Sequence, residues 1–273
     1  MQQLKRHADQ LNSAAIVFTF DPHPVRLLRP EQTPPPLTWT NRKADLLADL
    51  GVDAVVAYPT DEELLGLSSR EFFDQIIVEA IGAKAMVEGP NFFFGRRREG
   101  NVQQLSEFCQ QSDIELTIVQ PMRESAEFIS SSRIRDLIRD GKVAKAAEML
   151  TAPYRIRGMV THGAARGAKI GFPTANLDGI DTLIPANGVY AGRAFANNLW
   201  HWAAINIGPN PTFAEHASKV EVHILDFEQS IYGTTIEVDF IQRLRDIRQF
   251  ESAVALTDQL KKDIADTRRI ARQ

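Results

Sequence analysis

One cysteine in 273 residues leaves no partner for an internal disulfide and no thiolate set for a metal centre. That residue, Cys109, lies on the apolar side of the helical pattern VQQLSEFC and reads as a packed thiol, not a reactive one. No apolar run approaches ~20 residues, so no membrane-spanning helix is expected. The opening MQQLKRHADQL is too polar for the apolar core of a secretory signal. Basic excess is missing too. A net charge of -4 and a pI near 5.9 leave too few cations to neutralise a nucleic-acid backbone. A local patch still suffices for the phosphates of a small ligand. These absences predict a cytoplasmic protein with neither nucleic acid nor membrane among its partners, and no obligate protein partner is evident. What is present is ordinary for a globular chain: 44% hydrophobic and 24% charged residues, at a length that allows two domains.

Helical and strand patterns alternate through the first part. Leu4, Ala8 and Leu11 recur at helical spacing, and AAIVFTF (14–20) reads as a buried strand. Six prolines between Pro22 and Pro36 predict an irregular loop. Helices are expected over 41–50, from a Ser68–Glu71 capping box, after Asn101, and after a cap at Ser131 or Ser132. Strands are expected at 53–58, 85–87 and 114–119. This alternation predicts a parallel α/β sheet. Beyond Leu150 the pattern changes to short strands at 155–160, 189–195, 202–207, 220–225 and 234–241, separated by Gly, Pro and Asn. Helix returns only at 252–271, where Leu256, Leu260 and Ile264 form one apolar stripe. Five or six such strands predict a small antiparallel β-barrel closed by a C-terminal helix. The domains are therefore read as 1–150 and 151–273, divided near Thr151.

The densest chemistry lies in THGAARGAKIGFPTANL, residues 161–177. Gly163, Gly167 and Gly171 are spaced four apart, with the cations Arg166 and Lys169 between them. Glycines let backbone amides approach an anion, and the cations add charge to the same loop. No GK[ST] follows, so this is not a Walker loop. Pro173 stiffens a turn presenting Thr174 and Asn176, whose hydroxyl and amide oxygens are hard donors suited to Mg. By composition alone the stretch also reads as a Gly-rich hairpin with an Asn in its turn. In KVEVHILD (219–226), Val220, Val222 and Ile224 alternate onto one face and leave Glu221 and His223 on the other. A strand-held carboxylate there suits proton acceptance from an attacking hydroxyl, although Glu on a solvent face is commonplace.

GFPTANL, NIGPNPTF (206–213), VEVHILD, IYG (231–233) and RLRDIRQF (243–250) occur in one order. That order resembles the riboflavin kinase domain of bacterial bifunctional riboflavin kinase/FAD synthetases, from Tyr154 to the end. The resemblance implies that Thr174 and Asn176 hold Mg-ATP, and that the 163–171 loop, with Gly163, Arg166, Gly167, Lys169 and Gly171, covers the phosphates. It makes Glu221 the base toward the ribityl 5′-hydroxyl and puts Arg245 on the flavin side. His223 shares the family's wording and receives no role. In the first half FTFDPHP (18–24), EGPNFFFGRRREGN (88–101) and ISSSRIRDLI (129–138) resemble the family's FMN adenylyltransferase domain, of nucleotidyltransferase-like fold.

That second likeness implies a nucleotide-site role for His23 and ATP-phosphate contacts for Ser131, Ser132 and Arg135. The implied substrates are riboflavin, FMN and ATP, with Mg as cofactor. Asn91 stands where the family usually has Asp. The family's first strand and its G-x-F-D-G-x-H-x-G-H motif do not occur, and the sequence opens in the helix that follows them. The end of that strand is a usual phosphate site in doubly wound sheets. The expectation is therefore riboflavin phosphorylation with little conversion of FMN to FAD, and a sheet short of a central strand. A non-catalytic flavin-binding or regulatory protein retaining the barrel is the alternative, against which Thr174, Asn176 and Glu221 together speak. A nucleotidyltransferase for another substrate is a third reading, which the attached barrel argues against.

Overall fold

The computed structural model describes every residue except 29, 30, 32, 122, 125, 126, 151, 164, 165, 211–214 and 273. The chain divides into two compact units. One comprises Met1–Pro34 and Thr40–Phe128, the other Pro35–Trp39 and Ile129–Gln273.

In the first unit α1 (Gln2–Gln10), β1 (Ile16–Asp21), α2 (Pro24–Leu28), α3 (Thr40–Ala48), β2 (Ala54–Pro59) and α4 (Glu62–Gly66) follow one another. Then come α5 (Ser69–Phe72), continued by a π-helical stretch Phe73–Ala80, β3 (Ala85–Glu88), α6 (Val102–Gln111), β4 (Glu115–Ile118) and the hairpin β5 (Arg123–Glu124) and β6 (Glu127–Phe128). The Ser68–Glu71 capping box forms as expected, with both reciprocal bonds made. Asn101 caps α6 by accepting from the Gln104 amide. The proline-rich stretch holds a short helix where a loop was expected, because Pro24 occupies its first position, where no amide bond is needed.

The parallel pairing is present, but as two separate pairs, β1 with β2 and β3 with β4. β1 and β3 do not pair with each other. β1 is consequently half-buried and not the buried strand expected, since a strand with one neighbour keeps an open edge. The unit's own core gathers Phe72, Phe73, Leu105, Cys109 and Ile114. Burial pushes the Cys109 thiol up to about 11, as befits a packed residue.

The second unit opens with α7 (Ser131–Arg139) and α8 (Val143–Met149). The cap of α7 is Ser130, whose hydroxyl accepts from the Arg133 amide, and Ser131 and Ser132 lie exposed in the first turn. Next come β7 (Tyr154–Thr161), α9 (Arg166–Lys169), β8 (Ala175–Asp178), β9 (Gly188–Ala196), β10 (Leu199–Asn210), β11 (Glu215–Ile224), β12 (Thr235–Arg245) and α10 (Ala253–Ile270). The six strands close into a barrel of order β10-β11-β8-β7-β12-β9, antiparallel throughout. β8 is the strand that the sequence reading missed, because it has only four residues and begins within GFPTAN, at Ala175.

Closure turns alternate side chains into one core, with Ile156, Val160, Tyr190, Ile205, Val222 and Phe240 at most 2% exposed. Ile134, Ile138, Val143 and Ala146 of α7 and α8 join that same core. The packing unit therefore takes in Pro35–Trp39 and the chain from Ile129 onward, while the change in sequence pattern falls at Thr151, a residue outside those described. The packed face of α10 also differs from expectation. Leu256, Leu260 and Ile264 are only half-buried, whereas Asp263, Thr267 and Ile270 are fully buried. A polar residue holds that core position because Asp263 accepts from Arg245 and Gln259.

Candidate functional site

β11 organises the site. Its inward Val220, Val222 and Ile224 are buried, which leaves Glu221 and His223 on the outer face. Glu221 lies directly opposite Asn176 of β8 on one side and Asn206 of β10 on the other. Thr161 of β7 lies opposite Asn176 in turn. Directly opposed residues point to the same face of a sheet. Thr161, Asn176, Glu221 and Asn206 thus form one polar row across four neighbouring strands. The Asn206 amide donates to the Glu221 carboxylate at 3.2 Å. Asn206 falls in a motif quoted above but carried no assignment. The period-two pattern of Ile205, Asn206 and Ile207 was the available signal, since both isoleucines are buried.

The GFPTAN turn runs along the edge of this row. The Phe172 amide donates to the Gly167 carbonyl at 2.8 Å, and His223 Nδ1 bonds the Pro173 carbonyl at 2.7 Å. A Cβ at Gly163 would fall 2.2 Å from the Asn176 side-chain nitrogen, and one at Gly167 would fall 2.3 Å from the Phe172 carbonyl oxygen. These two glycines are therefore dictated by close approach, which brings the loop backbone down over Asn176. Gly171 has a positive φ of 86°. The backbone of Arg166 and Lys169 forms the single turn α9, while their side chains lie outside the described set.

Thr174 also lines a cavity of about 100 Å³ with Val160, Pro173, Ile224, Ser230 and Tyr232. The Tyr232 ring stacks on His162, their centroids 4.0 Å apart. Gly233 of the IYG segment bonds back to the Val160 carbonyl at 2.9 Å and so fixes this wall to β7.

Among the described residues no three His, Cys, Asp or Glu gather to hold a metal. The oxygens at hand are the neutral ones of Thr174 and Asn176, with Glu221 opposite Asn176. Such a set is too sparse for an all-protein cage. It fits a hard cation that keeps waters and shares phosphate oxygens with a nucleotide.

Arg245, at the end of β12, is engaged by the protein itself. Its guanidinium bonds both Asp263 oxygens at 2.7–3.2 Å and the Asp246 carbonyl at 3.0 Å, and it lies 5.7 Å from the Phe250 ring. It ties the 246–250 segment to α10.

Two family patterns match in tandem: FAD synthetase over residues 1–133 and riboflavin kinase over residues 150–271. A bifunctional riboflavin kinase/FMN adenylyltransferase from Listeria monocytogenes is 36% identical over 271 residues, 98% of this chain and 86% of the relative. The chain belongs to the bifunctional riboflavin kinase/FMN adenylyltransferase family. An Escherichia coli K12 member is 31% identical over 264 residues, 96% of this chain and 84% of that protein. A crystal structure titled macrolide-efflux protein, from Streptococcus pneumoniae, superposes with a TM-score of 0.83 at 33% identity, covering 98% of this chain and 88% of that one. Among the described residues no helix is long and apolar enough to cross a membrane.

The family's adenylyltransferase words fall in both units. His23 is exposed just ahead of α2, and its Nδ1 accepts from the Val25 amide at 3.3 Å, so Nε2 carries the proton of the neutral ring. Asn91 is exposed in the turn after β3. Ser131, Ser132 and Arg135 share the start of α7, in the unit that contains the barrel. Arg135 Nε donates to the Pro35 carbonyl at 3.0 Å, and burial lowers its pKa from the usual arginine value.

Proposed function

We propose that the barrel phosphorylates riboflavin from Mg-ATP to give FMN, within a flavin-cofactor enzyme whose first half is the family's adenylyltransferase. The observation that carries this reading is the row Thr161, Asn176, Glu221 and Asn206, bordered by the GFPTAN turn. Family membership over nearly the whole chain supports it.

In this reading Thr174 and Asn176 hold the metal of the metal–nucleotide complex, with magnesium as the ion. When bound, that ion offsets charge on the transferring phosphoryl group. The 163–171 loop lies over the phosphates, with Arg166 and Lys169 supplying its charge. The cavity walled by Ile224 and Tyr232, which Thr174 also lines, is assigned to the nucleotide side of the site. Glu221 accepts the proton of the ribityl 5′-hydroxyl as that oxygen bonds to the γ-phosphorus. The bond from phosphorus to the bridging oxygen breaks, and ADP leaves. The Asn206 amide holds the Glu221 carboxylate in place for this proton. Arg245 serves the flavin side through the 246–250 segment it anchors. In the adenylyltransferase half His23, Ser131, Ser132 and Arg135 are assigned to ATP.

Incubation with riboflavin and Mg-ATP, followed by separation of the flavins, tests the reading. FMN is the expected first product, and a FAD peak in the same run reports the family's second activity. Absence of FMN refutes the kinase. Glu221→Gln is expected to lower kcat about 10²- to 10⁴-fold, the usual worth of a positioned general base, with riboflavin affinity little changed. Unchanged turnover would reassign the base.

A further inference from the structure

We propose that His223 is a positioning residue for the nucleotide turn, resting on the reading of that turn as the Mg-nucleotide site. A carbonyl oxygen can only accept, so the 2.7 Å bond to Pro173 requires the proton on His223 Nδ1. The Pro173 carbonyl and the Thr174 amide belong to one planar peptide unit. Fixing that oxygen therefore fixes the direction of the Thr174 N–H and the Cα from which its hydroxyl projects.

The turn needs an outside anchor at this point. Proline has no N–H to give, and the preceding amide, Phe172, is already committed to Gly167 at 2.8 Å. The turn is thus pinned at one shoulder by its own loop and at the other by a side chain fifty residues away on β11. The Phe172 ring meets the His223 ring at 63° with centroids 5.8 Å apart, so the imidazole is also held by packing. Glu221 and His223 stand two residues apart on the outer face of the same strand. One strand therefore presents the base and sets the ligand turn, and the spacing between them follows from strand geometry and not from loop flexibility.

Substitution separates this role from general structural support. An asparagine amide nitrogen reaches about where Nδ1 sits, whereas a glutamine amide lies one methylene farther out. Calorimetric titration of the full chain with Mg-ADP is the readout, alongside riboflavin binding by fluorescence and the KM and kcat for riboflavin phosphorylation. His223→Leu is expected to weaken Mg-ADP about tenfold, the worth of one well-formed side-chain to backbone bond, and to leave riboflavin affinity within twofold. His223→Asn recovers Mg-ADP affinity to within about threefold of the parent, and His223→Gln does not. Should the leucine variant fail to fold, the Asn and Gln pair decides. Equal Mg-ADP affinity in parent and leucine variant, or Asn no better than Gln, overturns the proposal. A parent chain that does not bind Mg-ADP removes the nucleotide reading itself, and this proposal with it.

Discussion

Glu88 closes β3 with its carboxyl sunk enough for burial to push the pKa up to about 6, the Gly89 amide opposing. Between an ordinary carboxylate value and 6 the folded chain holds a proton that the unfolded chain has released. Stability therefore falls as pH rises through that window, and stays lower above it. Glu88→Gln is expected to gain about 1–2 kcal/mol at pH 7 and nothing at pH 4, read from urea midpoints at both values. A parent and variant that differ equally at the two pH values would refute this. Residues of this kind show how much was legible at the smallest scale. Glu221 stood out because its strand alternates cleanly, and alternation is a local property. The same alternation placed His223 and Asn206 on outer faces, but their roles depend on partners far along the chain, the Pro173 carbonyl and the Glu221 carboxylate.

At the scale of elements, three barrel strands are stapled through one carboxylate. Asp239 of β12 is fully buried and lies opposite Arg155 of β7 and Arg193 of β9. Arg155 bonds it at 2.5 and 3.1 Å, and Arg193 at 2.7 Å. Both guanidinium groups also face the Trp200 ring, at 4.4 and 5.1 Å. Removing Asp239 leaves Arg155 with only Glu237, at 2.8 Å, and takes from Arg193 its carboxylate partner on β12. Asp239→Ala is therefore expected to cost about 3 kcal/mol, seen as a lower urea midpoint with an unchanged slope. An unshifted midpoint would show that the arginines find water instead. The strands that carry this staple were legible as short runs separated by Gly, Pro and Asn. The four-residue β8 and the π-helical stretch 73–80 were not, because so few residues define no period and a π turn leaves no compositional mark.

At the scale of the whole molecule there are two cores, one around Phe73 and Leu105 and the other inside and beside the barrel. The second includes Ile134, Ile138 and Val143, each at most 5% exposed. A strap from Pro35 to Trp39 also belongs to it: the Leu183 amide donates to the Pro36 carbonyl, and Arg157 lies over the Trp39 ring. Each fully buried aliphatic side chain is worth about 1.5–3 kcal/mol, so losing three approaches the stability of a whole domain. A fragment of residues 129–273 is accordingly expected to unfold cooperatively in urea, whereas one of residues 150–273 is largely unfolded before denaturant is added. Equal midpoints would put the folding boundary back at the change in sequence pattern.

The sequence by itself determined most of the strands and longer helices, the caps at Ser68 and Asn101, the glycine and proline turns, and each of the words that mark the family. All of these depend on neighbours a few residues apart. Only the tertiary structure decided that Asn176, Glu221 and Asn206 stand side by side, that Asp263 is a core residue, and that Ile138 belongs with the barrel. Strand register in a closed barrel is set by the requirement that six strands meet around a common core, and no stretch of chain carries that condition alone.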